Sequence, residues 1–329
     1  SDPDPAECLR WVTTLNRNLW TRTSGDDDFL AVRLGLGQLP STLTVKTPTV
    51  RDVLDPDPLI SAAIEVARRH AEIVGVPICL DLRSAAVAGI GGERSEALAT
   101  AHTVAIQLAT QHAPTEVKLA AIYPQSEQAL WEWLRWLPHT WRDDHKVRWL
   151  ASDSNQAHTL LAHLDDFMDG RRREAAEYNS SQKKSFASVM VVFLADLDVI
   201  ERDPVVQRIE YEGPELGIYP IFLGGRTKML PASCRAVVKL ANGQASLIRP
   251  GAGTSQQQFT PDRVDAVLLD QFALAMAPIR LKQMAGRSIP NMVSLLAMLG
   301  VEQVEALQIE RRWSESQAAG RNLAVPIGL

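Results

Sequence analysis

Residues 85–109 read AAVAGIGGERSEALATAHTVAIQLA, and this stretch decides the fold. Ala85 to Ile90 predict a short buried strand, Gly91 and Gly92 a turn, and the residues from Glu93 or Arg94 to Gln111 a long helix. A strand, a glycine turn and a helix in that order form a phosphate-cradling arrangement. The glycines let backbone N–H groups approach an anion at the helix N-terminus. In GxxxxGK[ST] loops the lysine also reaches the terminal phosphates and the hydroxyl holds magnesium. With Gly89 as first glycine, the second falls on Arg94, the lysine on Ser95 and the hydroxyl on Glu96. Glu93 and Glu96 further put negative charge where phosphate would sit. The candidate nucleotide-site positions are therefore Gly91, Gly92, Glu93, Arg94 and Ser95, in a degenerate form.

Working outward, strands and helices alternate. PICLDLR (77–83) precedes the stretch, and EVKLAAIY (116–123) follows it as a continuous apolar strand. A helix through SEQALWEWLRWL, a strand at KVRWLAS and a helix over NQAHTLLAHLDDFMDGRRREAAEY come next. SSQKK (180–184) predicts a polar loop, and SFASVMVVFLADLD (185–198) a central strand. After a helix at DPVVQRIEYEG, the segments GIYPIFLGG, SCRAVVKL and GQASLIRP predict three strands. The last two are joined at Asn242-Gly243 in a type I′ hairpin. This alternation predicts an α/β fold, a mostly parallel sheet with helices on both faces. TPDRVDAVLLDQFALAMAPI predicts a helix capped by Thr260 with Asp262 in its first turn, and IPNMVSLLAML a closing helix. Upstream, ECLRWVTTLNRNLWTRT has helical apolar spacing, with Leu9, Val12, Leu15 and Leu19 on one face. DDDFLAVRLGLGQLPSTLTVKTP predicts strands of a small sheet ahead of the main domain, and DPDPLISAAIEVARRHAEIVG a helix ending near Gly75.

With 46% hydrophobic and 22% charged residues, the composition is that of an ordinary globular protein. A net charge of -5 argues against a surface that coats nucleic acid. No apolar run is long enough to span a membrane, and no signal peptide opens the chain. It does not begin with methionine, so a piece of something longer is expected. Cys8, Cys79 and Cys234 lack metal-ligand spacing and predict reduced thiols, two of them in strands.

An apolar strand ending in acid is the second nucleotide element, its carboxylate on the magnesium side and a Glu following to polarise water. MVVFLADLD supplies Asp196, with Leu197 where the Glu would stand and Asp198 on the same side of an extended strand. The tryptophans at 131, 133, 136, 141 and 149 predict core packing more than a partner surface. His158, His163, Asp165, Asp166 and Asp169 fit no metal motif and predict a solvated helix face. Arg171, Arg172 and Arg173 are expected to be exposed. No catalytic nucleophile motif occurs, and no metal site is expected.

With these residues in view, the chain resembles the EccC/EssC family of type VII secretion ATPases, which are FtsK/SpoIIIE-like. The matching pieces are LWTRTSGDDDFLAVRLGLG, AVAGIGGERSEALATAHTVAIQLATQHAPTEVKLAAIY, WLRWLPHTW and SLLAMLGVEQVEAL…RRW…LAVPIGL. The resemblance implies a RecA-like fold and a membrane-proximal ATPase-like domain. A post-stalk segment would cover 1–48, a degenerate ATPase domain 49–288, and a C-terminal helix and linker 289–329. It implies a non-catalytic scaffold that couples the membrane complex to downstream ATPase domains, on the cytoplasmic side of the bacterial plasma membrane. A working ATPase domain powering export is the alternative. Partners would be other secretion-complex components, those downstream domains and copies of itself in a hexamer, with DNA not expected. No cofactor is expected, ATP with magnesium being the candidate if one binds.

Overall fold

The structure is a computed structural model that describes residues 2–42, 46, 58–142, 146–177, 186, 188–200, 203–225, 227–250, 255–280 and 308–318. Two compact units are present, Ser1–Ile279 and Arg280–Leu329. In the second, the described element is a helix at Ile309–Ala318.

The first unit runs α1 (Pro5–Thr13), β1 (Ala31–Pro40), α2 (Pro58–Arg69), β2 (Glu72–Asp81), α3 (Leu82–Ala85), β3 (Ala88–Gly91) and α4 (Arg94–Gln111). It continues through β4 (Val117–Ile122), α5 (Gln128–Trp131), β5 (Leu150–Ala151), α6 (Ser154–Glu177), β6 (Val189–Leu194), α7 (Leu197–Ile200) and α8 (Pro204–Tyr211). The last elements are β7 (Ile218–Gly224), β8 (Ala236–Ala241), β9 (Gln244–Arg249), β10 (Ser255–Pro261) and α9 (Ala266–Met276).

All ten strands join one sheet in the order β2-β1-β10-β9-β8-β3-β7-β6-β4-β5. The pairings from β8 to β5 are parallel, and those from β2 to β8 are antiparallel. Five of nine pairings are thus parallel. Sequence explains the division. β6 (VMVVFL) and β7 (IYPIFLG) are buried along their whole length, as strands covered on both faces must be. In β6, Val189, Val191 and Phe193 enter one core with α4 and α9, while Met190, Val192 and Leu194 enter another with α6 and α8. Pro220 sits in an interior strand because β3 begins opposite Ile221, one residue later, and leaves that stretch of β7 without a partner on its side.

Several sequence expectations are corrected. The N-terminal strands form no separate sheet: β1 lies between β2 and β10 in the main one. Gly35 makes this possible, because a Cβ there would lie 2.1 Å from the Thr260 carbonyl oxygen. The α2 helix stops at Arg69, and β2 starts at Glu72, since the β-branched Ile73, Val74 and Val76 pair with β1. Asp81 caps the short α3, accepting from the Arg83 and Ser84 N–H groups, so β3 starts at Ala88 rather than Ala85. The SEQALWEWLRWL segment is not one helix; 3-10 turns at Gln125–Glu127 and Glu132–Trp136 flank α5. The tighter winding brings Trp131 and Leu134, three apart and both buried, onto one side.

Thr260 belongs to β10, and α9 is capped by Asp265, whose carboxylate accepts from the Leu268 N–H at 2.8 Å. Asp262 instead pairs with Arg33, Nε to Oδ2 2.8 Å. Of the three thiols, all free, Cys79 is in a strand, Cys8 in α1 and Cys234 ahead of β8. The Asn242-Gly243 hairpin forms, with φ of 54° and 76°. The loop 180–184 and the closing helix expected at 289–299 lie outside the described residues.

Candidate functional site

The glycine turn joins β3 to α4, and its N-terminal helix end already holds an anion, the Glu93 carboxylate. Glu93 is the N-cap, accepting from the Ser95 N–H at 3.3 Å and the Ser95 Oγ at 2.6 Å. Arg94 turns away from the cap. Its Nε and Nη2 donate to the two Glu127 carboxylate oxygens at 2.6 and 2.7 Å, and Nη2 also reaches the Ala195 carbonyl at 2.8 Å. A fork-to-fork pair of this kind fixes orientation as well as charge. One Glu96 oxygen accepts from the Gly243 N–H at 2.8 Å, fastening α4 to the β8–β9 hairpin.

The glycines pack against protein. A Cβ on Gly91 would meet the Thr227 Cα at 2.9 Å, and one on Gly92 the Leu240 Cβ at 2.6 Å and carbonyl oxygen at 2.7 Å. The Gly92 N–H donates to the Gly224 carbonyl. Neither glycine has a positive φ. Close approach of β8 and the 227–230 turn is therefore what demands them. Asp196 follows the Ala195 carbonyl that Arg94 engages, just beyond β6, so the strand end and the glycine turn are neighbours. Asp198 lies in helix α7 rather than on an extended strand.

Glu127 was missed by the sequence reading. Its signal is an acid a few residues past the end of β4, a strand parallel to β6. Behind it stand the tryptophans. Trp131 is fully buried, stacks on Tyr123 at 5.5 Å and donates its Nε1–H to Glu127 at 3.3 Å. Trp133 and Trp149 are buried too, whereas Trp136 is half exposed. His102 packs edge-on against Trp131 and Trp133, and burial pushes its pKa down to about 4.

The far end of α4 is built differently. The Trp20 and Arg22 N–H groups donate to the Thr110 and Gln111 carbonyls, and the Trp20 indole to the Ala109 carbonyl at 2.9 Å. The buried Arg22 guanidinium holds the Ala31 carbonyl, the Gln111 side chain, Asp2 and Asp28. His112 accepts from the Leu30 N–H through Nε2, so its Nδ1 is protonated and donates to the Leu108 carbonyl. His139 Nε2 donates to the His112 carbonyl at 2.8 Å. Burial pushes His112 down to about 4 and His139 to about 3.

On α6, Arg171 departs from expectation. It is buried between the Phe167 and Phe186 rings and donates to the Leu216 and Ser188 carbonyls. Arg172 and Arg173 are exposed, Arg172 bonding Glu212. Asp165 and Asp169 pair with Arg208 of α8. Among the described residues no cluster of three metal-ligating side chains occurs. No described helix is long and apolar enough to cross a membrane.

No family model matches the chain. ESX secretion system protein EccC of Geobacillus thermodenitrificans is 26% identical over 99% of the chain, and type VII secretion system protein EssC of Staphylococcus aureus is 23% identical over the same share. The chain is a homologue of EccC and EssC proteins. It spans 22% of the length of these two relatives. Solved EccC and EssC structures share its fold. The cytoplasmic domain of the Thermomonospora curvata type VII secretion ATPase EccC superposes with a TM-score of 0.52 at 14% identity, covering 79% of this chain and 32% of that one. EssC ATPases 2 and 3 of Geobacillus thermodenitrificans give 0.51 at 14%, covering 79% and 50%. The mixed α/β sheet is consistent with the RecA-like architecture of these EccC/EssC ATPase domains.

Proposed function

We propose that this chain is a non-catalytic, ATPase-like scaffold in type VII protein secretion. It would couple the membrane-side components of the secretion complex to downstream ATPase domains of the same polypeptide, on the cytoplasmic side of the plasma membrane. The observation that carries the reading is the occupied cradle. Glu93 supplies the anion at the start of α4, and Arg94 is committed to Glu127 and the Ala195 carbonyl. A phosphate arriving there would meet a carboxylate instead of a lysine, and like charges at that distance repel. Asp196 is the counterpart of a metal-side carboxylate, but Leu197 follows it and supplies no group to polarise water.

The test is calorimetric titration of the chain with magnesium-ATP, paired with a phosphate-release assay. Wild-type protein is expected to give neither saturable heat nor turnover. Saturable binding that disappears in Arg94→Ala, or turnover that disappears in Asp196→Ala, overturns the reading.

A further inference from the structure

The carboxyl ends of four parallel strands lie along one edge of the sheet, in the order β3, β7, β6, β4. Open α/β sheets take their ligands in the crevice beyond such an edge. Here one side chain crosses it. Arg94 opens α4 just after β3, and its guanidinium reaches two other strand ends. One is marked by Glu127, beyond the end of β4 at Ile122, and the other by the Ala195 carbonyl, next after β6. The receiving half is firmly placed. The Glu127 side chain is 14% exposed, and its carboxylate also accepts from the Trp131 indole. Trp131 is fully buried against Tyr123 just past β4, Phe193 of β6 and His102 of α4. The Ala195 N–H donates to the Ile122 carbonyl at 2.8 Å, joining the ends of β6 and β4 directly. These acceptors are held without help from Arg94, and its planar fork matches two of them at once, as an ammonium cannot.

We propose that Arg94, Glu127 and the Ala195 carbonyl form a strap that holds the ends of β3, β4 and β6 together across the crevice. The chain thus closes this edge with its own guanidinium. For its meaning in secretion the strap rests on the scaffold function proposed above. An edge already closed in the free protein leaves a ligand no open state to select or to close. Motion entering at one strand end then passes to the others through a standing bond, with no nucleotide cycle.

The test is site-resolved hydrogen exchange on the whole chain. It is read at the Gly92, Tyr123 and Ala195 amides, which bond the Gly224, Ala151 and Ile122 carbonyls at the ends of β3, β4 and β6. Arg94→Ala is expected to speed exchange about tenfold at Tyr123 and Ala195 as well as at Gly92. Millimolar methylguanidinium is expected to restore protection in Arg94→Ala, whereas methylammonium at the same concentration is not, and neither restores Glu127→Ala. Arg94→Lys keeps the charge without the fork and is expected to fall between, and it carries the same readout if Arg94→Ala fails to fold. Faster exchange confined to Gly92, unchanged exchange at all three amides, no rescue, or equal rescue by methylammonium each overturns the strap. Saturable magnesium-ATP binding in a chain whose exchange follows the expected pattern would overturn the scaffold function alone, so the two failures are told apart.

Discussion

The two ends of α4 answer the same physical problem by opposite means. At its start one free N–H, that of Ser95, is met by the side chain just upstream, Glu93, in an exposed setting. At its end the free carbonyls are met by a distant strip of chain, Trp20 to Arg22, in a buried one with His112 and His139. Stability is therefore unequal along the helix. The glycine end looks like a ligand site and is lightly held, whereas the histidine end carries no ligand-binding motif and is held by long-range bonds. Four measurements test that contrast.

The largest effect is expected from pH. His102, His112 and His139 have pKa values depressed to about 4, 4 and 3 by burial, so protonation favours the unfolded chain. Their stabilisation is full above the ordinary histidine pKa of about 6.5 and drains as pH falls toward 4, at about 1.4 kcal/mol per pH unit for each. Urea midpoints measured from pH 7.5 to 4.5 should fall steeply, and His112→Gln should flatten the slope. A flat profile would show that the histidine end is not buried as described.

Next comes Arg22→Ala, which strips the Gln111 side chain, the Ala31 carbonyl and two carboxylates of their partner. A loss of about 3 kcal/mol is expected in denaturant titration. Arg94→Ala at the other end removes a pair that is 31% and 14% exposed, so about 1–2 kcal/mol is expected. If the two substitutions cost the same, the contrast between the ends is wrong. The smallest is Glu93→Ala, an N-cap loss of about 1 kcal/mol. In the same variant, calorimetry with inorganic phosphate should show whether removing the resident carboxylate opens the turn to an anion.

The parallel half of the sheet was legible where its strands are long apolar runs between helical periods, as in VMVVFL and IYPIFLG, and less so at the four-residue β3 and the two-residue β5. The helix after the glycine turn was legible for the same reason, together with its start at Glu93–Arg94. The antiparallel half was less so. β1 and β2 have the alternation of any hairpin, and only Gly35 and Gly37 hint that another backbone, that of β10, lies against them. At the candidate site, the turn and Asp196 could be located from pattern. What could not be read is that Arg94 faces Glu127, since that depends on a side chain beyond the end of β4, three strands away in the sheet and 33 residues away in sequence. Arg171 misled for a related reason. A triple-arginine run signals solvent, yet Phe167 and Phe186 form a sandwich that shelters one guanidinium while backbone carbonyls satisfy it.

The sheet ends on unequal margins. β5 offers two residues at one side and stops, while β2 offers ten at the other, with Ile73 and Val74 bare. Among the described residues no strand pairs with the outer side of β2, and an unpaired margin of that length is a template on which a stranger's strand can crystallise into register, the first step toward insoluble fibres. Pro77 stands in the middle of that margin. Only an outermost strand has a backbone nitrogen to spare for a proline, and the donor it lacks leaves a gap in any ladder that would grow there. Replacing it by valine should cost little at dilution and shorten shelf life at high concentration, so this one ring guards the molecule against its own kind.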